Sequence, residues 1–189
     1  MRMTVIHFPR ASVILLVVIV TAGLQPALVA GRNVDQGRPA ALPGGATSVQ
    51  ELHGDWRVAC VQQDGKKVCA LSQQQTNKDT GQLLLMIELQ AVSADHVEGT
   101  LILPFGLALE RPITFEMNGA PTASVLRVRT CLPVGCLVSL TLDPATITAM
   151  RKGTLLTVHA TADGGQDTLF EISLNGFSSA LDRTAALAR

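Results

Sequence analysis

Tyrosine is absent from this 189-residue chain, tryptophan occurs once, and aromatic side chains make up only 3% of it. Single-strand nucleic-acid binders and many carbohydrate sites hold their ligands by stacking on aromatic faces, so surfaces of that kind are excluded. An excess of one charge is lacking too, since 15 Lys and Arg balance 15 Asp and Glu. No whole-molecule field draws such a chain onto nucleic acid or an acidic membrane, and nucleic acid is not an expected partner.

Short catalytic patterns are missing as well. There is no G-x-S-x-G elbow, no phosphate-cradling G-x-x-x-x-G-K-[ST] loop, and no G-x-G-x-x-G opening a helix after a strand. His53, His96 and His159 are far apart and none opens an H-E-x-x-H metal motif. His96-Val97-Glu98 matches half of a zinc-deaminase signature, but no P-C-x-x-C follows to supply the other ligands. Ser, His and Asp from distant positions can still converge in the folded chain, because a triad is defined by geometry and not by order. The sequence itself points to a protein that is not an enzyme, with no catalytic residues, no metal and no cofactor.

Hydrophobic residues are plentiful at 47%, enough to fill the core of one ordinary domain. The first thirty residues differ from the rest: Arg2 and Arg10 give a positive start, Ala11 to Leu24 is an almost unbroken apolar run, and small residues follow. This is the architecture of a secretory signal, with cleavage after Ala30 or Gly31. The run is short against the roughly 20 residues of a spanning helix, so cleavage is favoured over an uncleaved anchor. Membrane contact is expected only through this segment, should it be retained. Residues 31–50 are rich in Gly, Pro and Ala without apolar periodicity and read as a flexible lead to a single domain at 51–189.

Within the domain the signals have period two. Asp55 to Gln62 and Lys67 to Gln74 flank Asp64-Gly65, a dipeptide suited to the positive φ angles of a type I′ hairpin turn. With those two as the loop, Gln63 faces Lys66 and, counting outward, Cys60 faces Cys69 on a non-hydrogen-bonded pair, where side chains lie closest. Arg127 to Cys131 and Cys136 to Leu142 flank Leu132-Pro133-Val134-Gly135, which as a loop sets Cys131 opposite Cys136. Of the possible pairings only Cys60–Cys69 with Cys131–Cys136 agrees with both turns. Each would contribute roughly 2 to 3 kcal/mol by loop closure. Zinc or redox use fits less well: the spacings are C-x8-C and C-x4-C, of which only the second lies in the zinc range and neither is C-x-x-C.

Other segments complete a mainly β pattern. Gln82 to Gln90 and Thr100 to Leu109 are apolar runs fit for a sheet centre. Ile113, Phe115 and Met117 alternate with polar residues before Asn118-Gly119, and Leu156 and Val158, then Phe170, Ile172 and Leu174, line one face each of two runs around Asp163-Gly164-Gly165, another hairpin. Asp143-Pro144 caps a short helix closed by Arg151, Lys152 and Gly153, and a second helix covers about Ser178 to Ala188. Short antiparallel strands, frequent turns and one or two minor helices fit a β-sandwich or partly open barrel.

Five segments come in a recognisable order: Asp55-Trp56-Arg57-Val58-Ala59-Cys60; Val68-Cys69-Ala70-Leu71 with Gln73-Gln74-Gln75; Leu103-Pro104-Phe105-Gly106-Leu107; Arg129-Thr130-Cys131 with Gly135-Cys136; and Asn175-Gly176-Phe177 with Ala180-Leu181. In this the chain resembles the invasion-associated locus B family over nearly everything after Glu51. The resemblance implies a bacterial envelope, periplasmic or secreted protein linked to host-cell invasion, and it brings no catalytic residues. Two functions are compatible with it. One is a binding or adhesion-type module meeting an unknown protein or envelope partner or a host-cell surface. The other is a periplasmic accessory or structural protein of the envelope.

Phe105 and Leu107 are the candidate binding residues. Pro104 cannot donate to a β ladder and Gly106 favours a bulge, so the segment should bend at Phe105. The expectation from aromatic burial is that Phe105 packs beneath the bend; the competing reading projects it outward as an apolar contact.

Overall fold

The chain is described by a computed structural model that covers residues 42–93 and 96–189. The expected signal at 1–30 and most of the lead lie outside the described residues. The lead nevertheless ends earlier than expected. Leu42 is buried in the core, a short 3-10 turn occupies Pro43–Gly45, and Ser48–His53 is already strand β1. Its half-buried face, Val49, Glu51 and His53, is mostly polar while Leu52 stands exposed, which hides this edge strand from an apolar-pattern reading.

The other strands are β2 (Trp56–Gln63), β3 (Lys66–Thr76), β4 (Leu83–Ser93), β5 (His96–Leu103), β6 (Ile113–Met117), β7 (Ala120–Leu126), β8 (Val128–Leu132), β9 (Gly135–Leu142), β10 (Leu155–Thr161) and β11 (Asp167–Ser173); the helices are α1 (Pro144–Lys152) and α2 (Phe177–Ala188). They form two antiparallel sheets. One has seven strands in the order β1-β2-β3-β4-β5-β9-β8, the other four in the order β11-β10-β6-β7. Alternation assigns the faces: Trp56, Val58, Cys60, Leu71, Leu85, Ile87, Leu89, Val97, Leu101 and Leu103 turn inward from the large sheet. They share one core with Ile113, Phe115, Leu156, Val158 and Ile172 of the small sheet and with Phe177, Ala180 and Leu181 of α2, which packs on β2, β3 and β4. The result is an open, sandwich-like arrangement.

Turn chemistry sets the registers. Asp64 and Gly65 take φ of 50° and 73°, the type I′ signature, and Cys60 pairs with Cys69. That disulfide joins Cα atoms 4.1 Å apart, and the Cys131–Cys136 disulfide joins Cα atoms 3.9 Å apart. The second hairpin is tighter than the sequence suggests: Leu132 pairs with Gly135, leaving only Pro133 and Val134 as the loop. Gly135 is required there, because a Cβ would lie 2.5 Å from the Leu103 carbonyl oxygen. Asn118 and Gly119 form another tight turn at φ 48° and 84°. Asp143 caps α1 through a 2.6 Å bond from the Thr146 amide, and that bond, with one from the Thr146 hydroxyl, holds its carboxyl below the usual range.

Strand β5 stops at Leu103 and does not run on to Leu109. Pro104 has no amide hydrogen, and Gly106 at φ 89° turns the chain away. The segment then touches the small sheet, where Leu107 bridges Ala162 and the Asp163 amide donates to the Gly106 carbonyl at 2.9 Å.

Candidate functional site

Three of the five ordered segments meet at a junction between the β1–β2 turn and the β11–α2 connection. The Trp56 indole N–H and the Gln73 side-chain amide both donate to the Ser173 carbonyl, each at 2.9 Å, and the Ser173 amide donates back to Gln73 Oε1 at 3.2 Å. Trp56 meets Phe177 edge to face, with ring centroids 5.2 Å apart. The Asp55 carboxylate accepts from the Ser173 hydroxyl at 2.6 Å and from Asn175 Nδ2 at 3.4 Å. Gly176, at φ 85°, lies so close to the His53 carbonyl that a Cβ would come within 2.0 Å of its oxygen. These polar groups are engaged with one another, and the motif residues here fasten two connections together.

Beside the junction the fold brings together Ser179, His53 and Glu51. His53 Nδ1 is 3.2 Å from Ser179 Oγ and His53 Nε2 is 3.3 Å from Glu51 Oε2. The outline is that of a nucleophile, base and orienting acid, but both ends of it are engaged elsewhere. The Ser179 hydroxyl also reaches the Gly176 carbonyl, at 3.0 Å, so the backbone as well as the ring engages it. Both Glu51 oxygens are taken by Arg183, at 2.8 Å from Nε and 2.7 Å from Nη2. Hydrogen bonding to Arg183, with a smaller contribution from His53, holds Glu51 at about 2, against an ordinary 4.5. The cluster acts as a clamp between β1 and α2.

The other two histidines also meet glutamates on the surface: His96 and Glu98 at 2.8 Å, His159 and Glu116 at 3.1 Å. These pairs sit on separate strands, and among the described residues no group of three or more His, Cys, Asp or Glu is arranged to hold a metal ion. All four cysteines are in the disulfides.

The Leu103–Leu107 segment departs from expectation at both candidate residues. Phe105 is 59% exposed and is not a core anchor, whereas Leu107 is only 8% exposed and cannot meet a partner directly. The cause is the turn at Gly106, which reverses which side chain lies beneath the bend. Phe105 does not stand alone. Leu103, the last residue of β5, pairs with Cys136 near the start of β9, so the segment leaves the large sheet at the same end as the β8–β9 turn. Val134 is 51% exposed and the adjoining Leu132 is 48% exposed. The Pro104-Phe105-Gly106 bend and the β8–β9 turn, closed by Cys131–Cys136, thus make up the exposed apolar tip of that end of the sheet. Arg129 is exposed on β8, and Arg127 precedes that strand at the end away from the turn, its guanidinium donating to the Glu110 carbonyl at 3.2 Å. Leu132, Val134 and the two arginines were not distinguishable as contacts from sequence. The available signal was a charge gap: between Glu116 and Asp143 the only charged residues are Arg127 and Arg129.

Comparison with known proteins accounts for the ordered segments. The family model described as Invasion associated locus B protein matches residues 56–185. An invasion protein B homologue of Brucella abortus is 39% identical over 151 residues, covering 79% of this chain and 87% of that protein. Invasion protein B of Bartonella bacilliformis is 35% identical over 154 residues, covering 79% of this chain and 82% of that protein. The crystal structure of invasion associated protein B from Bartonella henselae superposes with a TM-score of 0.68 at 31% identity, covering 74% of this chain and 96% of that one. Matching segments, matching fold and these identities agree: the chain belongs to the invasion-associated locus B family.

Proposed function

We propose that this is an exported, non-enzymatic protein whose folded domain is a binding module in host-cell interaction, with the Phe105 tip as its contact surface. The observation that carries the reading is the exposure of Phe105 at the same end of the sheet as Val134 and Leu132 of the disulfide-closed β8–β9 turn, because exposed apolar side chains at one end of a fold are typical of interaction sites. Export is supported by the signal-like start of the sequence and by the disulfides, which persist in oxidising compartments. The names of the relatives support a link to invasion.

Fractionation with a host-cell association assay tests the proposal. Protein on the outer surface or in the medium, binding host cells through a process weakened by Phe105→Ala, supports it. Protein confined to the periplasm, with association untouched by the substitution, would favour an envelope accessory role.

A further inference from the structure

We propose that the Cys131–Cys136 disulfide is an exchangeable latch: a dithiol reductant opens it in the folded protein and frees β8 with its turn, while Cys60–Cys69 stays closed. The inference does not depend on what the apolar tip meets.

The two disulfides sit in opposite settings. Cys60 and Cys69 are 1% and 6% exposed, belong to the shared core, and join β2 to β3 with β1 and β4 on either side. A thiol reaches them only if the sheet opens. Cys131 is half-buried on β8, the last strand of the large sheet, whereas Cys136 is 2% exposed on β9, which has β5 on its other side. A reductant therefore meets Cys131 first. Exposed disulfides are the exchangeable ones, because the incoming thiolate must reach one of the two sulfurs.

Little else holds β8. None of its five residues is fully buried: Arg129, Thr130 and Leu132 are exposed, and Val128 and Cys131 are half-buried. Among the described residues it pairs with β9 alone, and its register slips between Val128 and Thr130. Its neighbour is anchored differently. β9 buries Cys136, Leu137, Val138, Leu140 and Leu142 and pairs with β5 all the way from Val97–Leu142 to Leu103–Cys136. Scission therefore loosens β8 and its turn and leaves the core strands in place, since segments with few buried apolar contacts open locally and separately from the core.

The exchange balances without a further reactant. One thiolate of the dithiol attacks Cys131 Sγ, the Cys131–Cys136 bond breaks, and Cys136 leaves as a thiolate that takes up a proton. The second thiolate of the dithiol then attacks its own sulfur in the mixed disulfide and releases Cys131, which is protonated in turn. The protein disulfide gains two electrons and two protons, and the dithiol loses both as it becomes a disulfide.

Timed treatment of the native exported protein with dithiothreitol, followed by iodoacetamide and peptide mapping, tests this. Cys131 and Cys136 should become alkylated roughly tenfold or more faster than Cys60 and Cys69. Glutathione in place of the dithiol should leave its adduct on Cys131. Hydrogen exchange should quicken in 128–134 while the fluorescence of Trp56, the single tryptophan and a fully buried one, stays unchanged. Cys131→Ala/Cys136→Ala should reproduce both signals. Equal rates for the two pairs, earlier opening of Cys60–Cys69, or reduction only in denaturant would overturn the inference. So would a shift of Trp56 emission to its solvent value when Cys131–Cys136 alone is open, because the bond would then hold the whole fold.

Discussion

The junction and the tip both carry segments that mark the family, yet the physics of the two regions is opposite. At the junction Trp56 is fully buried, Gln73 and Ser173 exchange hydrogen bonds, and Gly54 and Gly176 allow backbones to touch. Every distinctive residue there has a packing reason. At the tip, Pro104, Gly106 and the disulfide have structural reasons, but Phe105 has none: its ring stands in solvent although the same bend buries Leu107. A shared motif is therefore not one kind of evidence. Where folding already explains a residue nothing remains for function, and where folding leaves a large apolar side chain outside, a partner is the simpler account.

The sharpest contrast should come from truncating the two aromatics. Trp56→Ala removes a buried ring, its contact with Phe177 and a hydrogen bond to Ser173, and should cost roughly 3 to 5 kcal/mol. Calorimetry should show the thermal midpoint falling by about 10 °C or more. A loss under about 1 kcal/mol would mean that the junction is not the structural anchor described.

The disulfides sharpen the comparison in the same direction. Cys60 and Cys69 are buried and close a nine-residue separation, whereas Cys131–Cys136 closes five and lies beneath the tip. Replacing the first pair by alanine should cost roughly 3 kcal/mol and the second roughly 2, since loop closure grows with length. Urea unfolding of the two double variants checks the order. The second should also lose association through a loosened tip, and the reverse ranking would break the assignment of roles.

A smaller effect is expected at the clamp beside the junction. The folded-state pKa of Glu51 is held at about 2, below its ordinary 4.5. A depressed carboxylate stabilises the fold at pH values above its unfolded pKa, and that contribution drains away as pH falls from about 4.5 towards 2. Urea midpoints measured across this window should decline less steeply in Glu51→Gln than in the parent. Parallel curves would show that Arg183 does not hold Glu51 in solution.

Much of the fold was legible because it rests on local chemistry. Asp64-Gly65 gave its hairpin a register that placed Cys60 against Cys69, and Asp143-Pro144 marked the start of α1. β1 and β7 were not legible, since edge strands need bury only part of one face and carry polar alternation or, at Pro121, a break in the apolar pattern. At the tip the bend was readable from Pro104 and Gly106, but its sense was not. Whether Phe105 or Leu107 lies beneath depends on the φ of 89° at Gly106 and on the distant Ala162 and Asp163, which no local pattern reveals. The Ser179–His53–Glu51 cluster was equally invisible, because it joins β1 to α2 across 126 residues.

The most direct test measures thermal unfolding and host-cell association of Phe105→Ala on one preparation. An exposed contact residue predicts stability within about 0.5 kcal/mol of the parent and a marked loss of association. A stability loss of roughly 3 to 5 kcal/mol would contradict the account, returning Phe105 to the core and removing the tip as a binding surface.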